Sequence, residues 1–392
     1  MGILENIRVL DFGRYIAGPW CAALLADYGA DVIRIDKVGG SEDRDVMPIG
    51  HQNGGAIFQQ VNRNKRSFCL ASKGHIRDEI LRSLVLNADI VIANLPAKAL
   101  KSLGIDYLSL TAINPSIILT SMSAFGSKGP FSEKIGFDVV AQAMSGSMYL
   151  SGSTEPMRSC VSWVDYSTAM SAAFGTLLAI IERQKSGKGQ EVSASLLGSA
   201  LVASNPYLIE EKITPKGRAR MANKSQVAAP ADMFRTKDGF IVMQAIGNPM
   251  FKRWAGLVGR PELLKDQKFT SDEGRATHAN MLSNIMQDWC STKETEFIIT
   301  ELEKVKLPCA EVLSPKKAIK DEHINQGDFF FSTGEKGPKK MPISMPPVNL
   351  SRTPCTYRNA APALGNNTAQ ILFELGYENH DIKHFFEAGI IS

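Results

Sequence analysis

Along the first half of the chain, short apolar runs alternate with longer stretches of helical spacing. IRVLDF (Ile7–Phe12) is an apolar run that reaches Asp11, and GRYIAGPWCAALLADYGA reads as a helix from about Pro19. Proline in a first turn and Gly29 just past the last one match ordinary helix start and stop signals. DVIRID (Asp31–Asp36) is a second strand. Strand, helix and strand within about thirty residues form a βαβ unit, which requires a parallel sheet buried on both faces. SFCLAS, the helix IRDEILRSLVLNA, the strand DIVIANL (Asp89–Leu95), a basic helix around Lys98–Leu103 and the strand SIILTSMSAF continue the alternation. The pattern predicts an α/β fold with a doubly wound, Rossmann-like parallel sheet and a ligand at the carboxyl ends of its strands.

GSKGPFSEKIG (Gly126–Gly136) is a Gly/Pro/Lys-rich loop, followed by helical FDVVAQAMSGSMYLSG and by SWVDYSTAMSAAFGTLLAII (Ser162–Ile181), a buried helix by composition. RQKSGKGQEVSASLLGSAL then gives a basic last turn, a glycine stop, a short strand and another helix. The character changes from about Asn205. ITPKGRARMANKSQVAAP (Ile213–Pro230) is a basic, polar loop, and DMFRTKDGFIVMQAIG reads as a hairpin through a two-residue turn at Asp238 and Gly239. Helical segments run from Met250 to Lys304; a Pro- and Gly-rich stretch with short strands and a helix–turn–helix tail follow. The middle third therefore reads as a small domain inserted into, or following, an α/β domain.

Composition narrows the class. The 392 residues are 44% hydrophobic and 21% charged, ordinary for a globular protein and long enough for two domains. A net charge of +4 argues against a dedicated nucleic-acid surface and suits a small anionic ligand. Six scattered cysteines form neither a disulfide framework nor a metal-ligand spacing. The amino-terminal stretch has no secretory pattern, Asn6 weakens a myristoylation reading of Gly2, and polar residues interrupt the apolar stretches before membrane-spanning length. These points predict a cytoplasmic, reducing compartment with no membrane partner. Gly13, Gly18 and Pro19 have the wrong spacing for a dinucleotide fingerprint, and no phosphate-loop lysine motif, G-x-S-x-G or H-E-x-x-H is present. His51, His75, His278, His323, His380 and His384 lie away from the strand ends and read as surface or packing residues.

One carboxylate stands apart. Asp165 opens the small-residue helix with no Lys, Arg or His before Arg183. It reads as a helix N-cap, its oxygen accepting from the backbone N–H of Ser167 or Thr168. A helix dipole and free N–H groups would also hold it ionised, which is what a carboxylate nucleophile in a water-poor setting requires.

Several long blocks, in order, resemble the class III CoA-transferases, the family of formyl-CoA, carnitine and bile-acid CoA-transferases. They are IRVLDFGRYIAGPWCAALLADYGADVIRID, NRNKRSFCLAS, GFDVVAQAMSGSM, VDYSTAMSAAFGTLLAIIERQKSGKGQEV, MFRTKDGFIVM and LGNNTAQILFELGY. The resemblance runs from Ile7 to the C-terminal helices. It implies that Asp165 is the nucleophile, passing through an aspartyl anhydride and an aspartyl-CoA thioester. Each step exchanges bonds of similar energy, so no prosthetic group is called for, and coenzyme A enters as acyl-CoA substrate with a small carboxylic acid as partner. It also implies an interlocked homodimer whose large domain uses both chain ends. The expected division is 1–205 for the first part of the large domain, 206–325 for the small domain and 326–392 for a return segment.

The resemblance further places CoA against Ile16 and Ala17, Lys37, the run Leu70, Ala71, Ser72 and Lys73, the run Asn94, Leu95 and Pro96, and the run Ile135, Gly136, Phe137 and Asp138. By residue type alone Leu70 reads as core, and Lys37 and Lys73 as solvated charges. The chain departs from the family at Leu95 and Ser102, where relatives commonly carry basic residues, which moves phosphate recognition to Lys98 or Lys101. Ile16 and Phe137, with no run of four glycines in the middle domain, argue against oxalate or formate as substrate. A racemase of α-methylacyl-CoA esters is the neighbouring alternative, but it needs a histidine where Phe137 stands. A non-catalytic acyl-CoA-binding subunit is the other. Arg218, Arg220 and Lys224 lie in a basic loop suited to a second carboxylate, which favours a dicarboxylate such as succinate.

Overall fold

The computed structural model describes residues 2–50, 54–332 and 341–392; His51 and the Gly/Lys-rich part of the return segment fall outside that range. The described chain divides into two compact units. One holds residues 1–145, 159–205 and 322–392, and the other 146–158 and 206–321. Gly146–Arg158 thus clusters with the smaller unit although it precedes residue 205.

Six parallel strands form the sheet of the larger unit: β1 (Arg8–Asp11), β2 (Asp31–Asp36), β3 (Lys65–Cys69), β4 (Ile90–Ala93), β5 (Ile118–Ser123) and β6 (Glu191–Ser195). Their order, β3-β2-β1-β4-β5-β6, is that of a doubly wound fold and places the topological switch point between β1 and β4. Alternate residues feed two apolar layers, because successive side chains of a strand point to opposite faces. Val9, Val32, Ile90 and Ile118 join one layer with α1 (Ala17–Asp27) and the Trp163–Ser186 helix. Leu10, Ile33, Val91 and Leu119 join the other, with the His75–Leu86 helix and Ile371, Leu372, Ile382 and Phe385 of the C-terminal helices. The return segment also bonds to the sheet edge: Ser67 and Asn367 exchange hydrogen bonds, and Thr368 Oγ1 accepts from the Cys69 N–H at 3.2 Å.

Polar groups are buried beneath the carboxyl ends of β1 to β3. Lys65, fully enclosed, donates to Asp11 Oδ2 at 2.7 Å, the Pro19 carbonyl at 2.8 Å and Asn62 Oδ1 at 2.9 Å. Burial pushes its ammonium down to about 8, against the opposing pull of Asp11. Asp11 Oδ1 accepts from the Gly13 N–H at 2.7 Å, so this ion pair shapes the turn between β1 and α1. Arg34 bridges Asp36 and Asp43, and Arg44 also reaches Asp36.

The smaller unit carries an antiparallel sheet of β7 (Ala231–Arg235), β8 (Phe240–Gln244) and β9 (Cys309–Glu311), packed against helices through Phe251, Trp254, Leu282, Met286 and Ile298. The hairpin differs from the two-residue expectation. Arg235 pairs with Phe240, leaving a four-residue loop, Thr236–Gly239. Asp238 is drawn away from turn duty by the Thr295–Lys304 helix, whose first N–H it accepts at 2.8 Å together with the Thr295 hydroxyl at 2.7 Å. These bonds lower its carboxyl to about 2.

Replacing Lys65 by Met leaves Asp11 buried without a counter-ion. The expected outcome is a loss of about 3–5 kcal/mol in a denaturant titration of the intact protein.

Candidate active site

Asp165 lies in the first turn of a long helix whose composition explains its place. For α2 (Asp138–Met144) and α3 (Trp163–Ser186), the shared apolar layer is built largely from small side chains. Ala169, Ala172, Ala173, Thr176 and Ala179 of α3 are buried, and the Thr176 hydroxyl meets that of Thr120 on β5 at 2.6 Å. The helix ends at Gly187, in the left-handed conformation at φ 73°. By length and composition alone α3 is apolar enough to span a bilayer, contrary to the sequence expectation, but its inner face belongs to the core.

The cap differs from the expected one. Asp165 does not cap the helix; α3 starts two residues earlier, so Asp165 is the third helical residue and its own N–H needs an acceptor. That acceptor is Asp138. Its buried carboxylate takes the N–H of Val164 at 2.8 Å and that of Asp165 at 3.1 Å through Oδ2, while Gln142 donates to Oδ1. Gln142 is held in turn by the Ser159 N–H at 2.9 Å. The Asp165 carboxylate receives no hydrogen bond and forms no ion pair with any described residue. The expected ionisation by free N–H groups is absent for the same reason. Burial, and then the negative charge of Asp138, push Asp165 up to about 7. A carboxylate so raised is more basic, and a stronger nucleophile when deprotonated, than one on the surface.

The loop after β1 packs nearby. Asn94, just past β4, clasps it across the switch point, accepting from the Arg14 N–H at 2.7 Å and donating to the Arg14 carbonyl at 2.8 Å. The fit is close: a Cβ on Gly18 would lie 2.8 Å from both Asn94 Oδ1 and Gly13 Cα. Arg14 donates to the carbonyls of Phe12, Gly13 and Ile35, and Asp43 accepts from the N–H of Tyr15, a residue at φ 60°. From this loop, Tyr15 meets the edge of Phe137 at 5.7 Å, and from α1, Trp20 meets Tyr166 at 5.5 Å. The beginnings of α1, α2 and α3 are thereby brought into one neighbourhood.

The other residues singled out from the sequence follow the carboxyl ends of the strands. Ile16 and Ala17 follow β1 and are buried at the start of α1. Lys37 follows β2, exposed and paired with Glu42. Leu70 to Lys73 follow β3; Leu70 is a core residue, 3% exposed, so only its backbone is on offer, while Ser72 and Lys73 are exposed. Asn94 to Pro96 follow β4, leading to exposed Lys98 and Lys101 on the Ala97–Leu103 helix. Lys73, Lys98 and Lys101 form no ion pair with a described residue. Ile135, Gly136 and Phe137 follow β5, with Ile135 and Phe137 exposed, whereas the Asp138 side chain is turned inward onto α3. Since all the strands are parallel, these segments share one sheet edge. Gln142, Arg14 and Asp43 escaped the sequence reading; a polar residue one turn after Asp138 is the signal that marks Gln142. The basic loop is partly neutralised: Arg218 is paired with Glu210, and Lys224 lies 3.6 Å from Asp232. No group of three or more His, Cys, Asp or Glu among the described residues is placed to hold a metal ion.

Comparison with known proteins covers this whole arrangement. Residues 4–368 match the model of CoA-transferase family III. The chain is 29% identical to a succinate–glutarate CoA-transferase of Agrobacterium fabrum, over 95% of each protein. It is likewise 29% identical to a succinyl-CoA–D-citramalate CoA-transferase of Chloroflexus aurantiacus, over 95% of this chain and 94% of that one. A crystal structure of a CAIB/BAIF family protein from Brucella suis superposes with a TM-score of 0.83 at 28% identity, covering 95% of this chain and 99% of that one. With the match running through both units and through the Asp165 helix, the chain belongs to CoA-transferase family III, the class III CoA-transferases.

Proposed function

We propose that the protein moves CoA from an acyl-CoA donor to a free carboxylic acid, with Asp165 as the covalent nucleophile. The observation that carries this is the Asp165 carboxylate: half-buried, free of hydrogen bonds and set beside the fixed charge of Asp138. An Asp165 oxygen attacks the thioester carbonyl, the C–S bond breaks, and CoA leaves as thiolate with the electron pair. The thiolate attacks the aspartyl carbonyl of the resulting anhydride, releasing the donor acid and leaving aspartyl-CoA. The acceptor carboxylate attacks this thioester and expels the thiolate again. Attack of that thiolate on the acceptor carbonyl of the second anhydride gives acceptor-CoA and restores Asp165. No water, electron or net proton is consumed, and the apolar flank of α3 keeps water from the anhydride.

CoA lies along the sheet edge, its phosphates meeting the unpaired Lys73, Lys98 and Lys101 and its pantetheine passing Ile16 and Ala17. The names of the relatives, built on succinate, glutarate and citramalate, favour a dicarboxylate in the acid pair. Phe137, which cannot carry a proton to carbon, weighs against a racemase. Six unpaired cysteines suit a reducing, cytoplasm-like compartment. A homodimer is supported by the outer face of α3, where Met170, Phe174, Leu177, Leu178 and Ile181 form an exposed apolar stripe at helical spacing.

Measurements of transfer, its pH dependence, stability and mass test this reading. Asp165→Asn and Asp165→Ala are expected to abolish label exchange between acyl-CoA and free acid, and hydroxylamine added during turnover is expected to modify the Asp165 peptide of the wild type; near-normal exchange by either variant refutes the assignment. Because the anion is the nucleophile, transfer should rise with pH through about 7 and then level. Asp138→Asn, which removes the neighbouring charge, should move that midpoint toward the ordinary carboxylate range. The same shift acts on stability: a carboxyl raised in the folded state adds stability below its unfolded pKa and loses it as pH rises through about 7. Asp165→Asn should therefore gain on the wild type between pH 4 and 7, by at most about 4 kcal/mol at ~1.4 kcal/mol per unit. Sedimentation should give twice the 42.7 kDa chain mass, unchanged on dilution; a monomer refutes the dimer.

A further inference from the structure

The smaller unit contains an open cavity of about 820 Å³, wholly within that unit and lined in part by the basic loop. Its volume falls in the range of small-molecule sites. Four cationic side chains line it: Lys216, Arg218, Arg220 and Lys224. Three of them are answered by acids. Lys216 bonds Glu273 at 2.7 Å, Arg218 is held by Glu210 through Nη2 at 2.7 Å and also reaches the Gln226 carbonyl, and Lys224 lies 3.6 Å from Asp232. Glu211, the other nearby acid, accepts from the Gly217 N–H at 3.1 Å.

Arg220 is different. Its guanidinium lies over the Tyr149 ring at 4.9 Å, and it makes neither a hydrogen bond nor an ion pair with a described residue. Its Nε–H is shielded from water and has no acceptor. A buried unpaired donor is unfavourable. The aromatic ring seats the guanidinium, and Arg220 lines the cavity with terminal N–H groups that no described residue takes up. A planar fork held this way matches the two oxygens of one carboxylate.

We propose that this cavity binds a carboxylate of a small organic acid, with Arg220 as its anchor and Tyr149 holding the anchor in place. The identification of that acid with the reaction's own carboxylate substrates rests on the transferase reading; the binding does not. Lys216, Arg218 and Lys224 are already paired with acids and need not move, so the recognition falls to Arg220.

The test titrates succinate into the full-length protein without any CoA ester, followed by calorimetry and ligand-detected NMR, with acetate and inorganic phosphate alongside. Arg220→Gln is expected to weaken succinate binding by about tenfold or more, and Arg220→Lys, which keeps the charge without the fork, by an intermediate factor. In transfer assays Arg220→Gln is expected to raise KM for the acid. Tyr149→Leu, which retains every charge, is expected to weaken binding as well and serves if Arg220→Gln does not fold. Equal succinate affinity in the wild type and the folded Arg220 variants overturns the site, as does phosphate binding more tightly than succinate with the same dependence on Arg220. A wild type that binds succinate through Arg220 but transfers CoA to no acid leaves this site standing and removes the transferase mechanism. Normal transfer with no role for Arg220 does the reverse.

Discussion

The amino end of the Trp163–Ser186 helix has N–H groups that need acceptors, and Asp138 supplies the acceptor. One buried carboxylate accepts from both Val164 and Asp165, and this shapes the state of the Asp165 side chain. Had Asp165 capped its own helix, its oxygens would be hydrogen-bonded and its carboxyl pulled down. Relieved of that duty, it faces its surroundings unbonded, and the charge that relieved it also raises its basicity. Asp138 thus positions the proposed nucleophile and adds to the activation that burial supplies first.

That arrangement depends on a rigid floor. The loop after β1 must approach the strand-β4 end closely enough for Asn94 to hold both polar groups of Arg14, which leaves no room for a side chain on Gly18. Beneath it, Lys65 and Asp11 fix the turn from inside the sheet, while Arg34, Asp36, Asp43 and Arg44 fill what would otherwise be an apolar layer. Buried ion pairs of this kind contribute little net stability compared with apolar packing. Their effect is geometric, since each pair has a single arrangement in which every charge is answered.

The α/β pattern, the strand positions and the small-residue composition of the Trp163–Ser186 helix were legible because they rest on local periodicity. DVIRID is β2 residue for residue, and the Gly187 stop is where the helix ends. The failures share a cause. The Asp238–Gly239 turn widened because a distant helix needed a cap, and the Asp165 cap was lost because a distant acid took its place. Side-chain competition for backbone N–H groups is settled between segments far apart in the chain, which no window of sequence can weigh.

By itself, then, the sequence determined a parallel doubly wound sheet, a small second unit and a solitary acid at the mouth of a small-residue helix. These follow from periodicity, turn chemistry and composition, all local properties. Only the tertiary structure decided that Asp138, twenty-seven residues away, faces Asp165, and that of the basic loop's charges Arg220 is left without an acid. Charge and hydrogen-bond partners are assigned by proximity in space, and proximity is fixed only once the layers have packed.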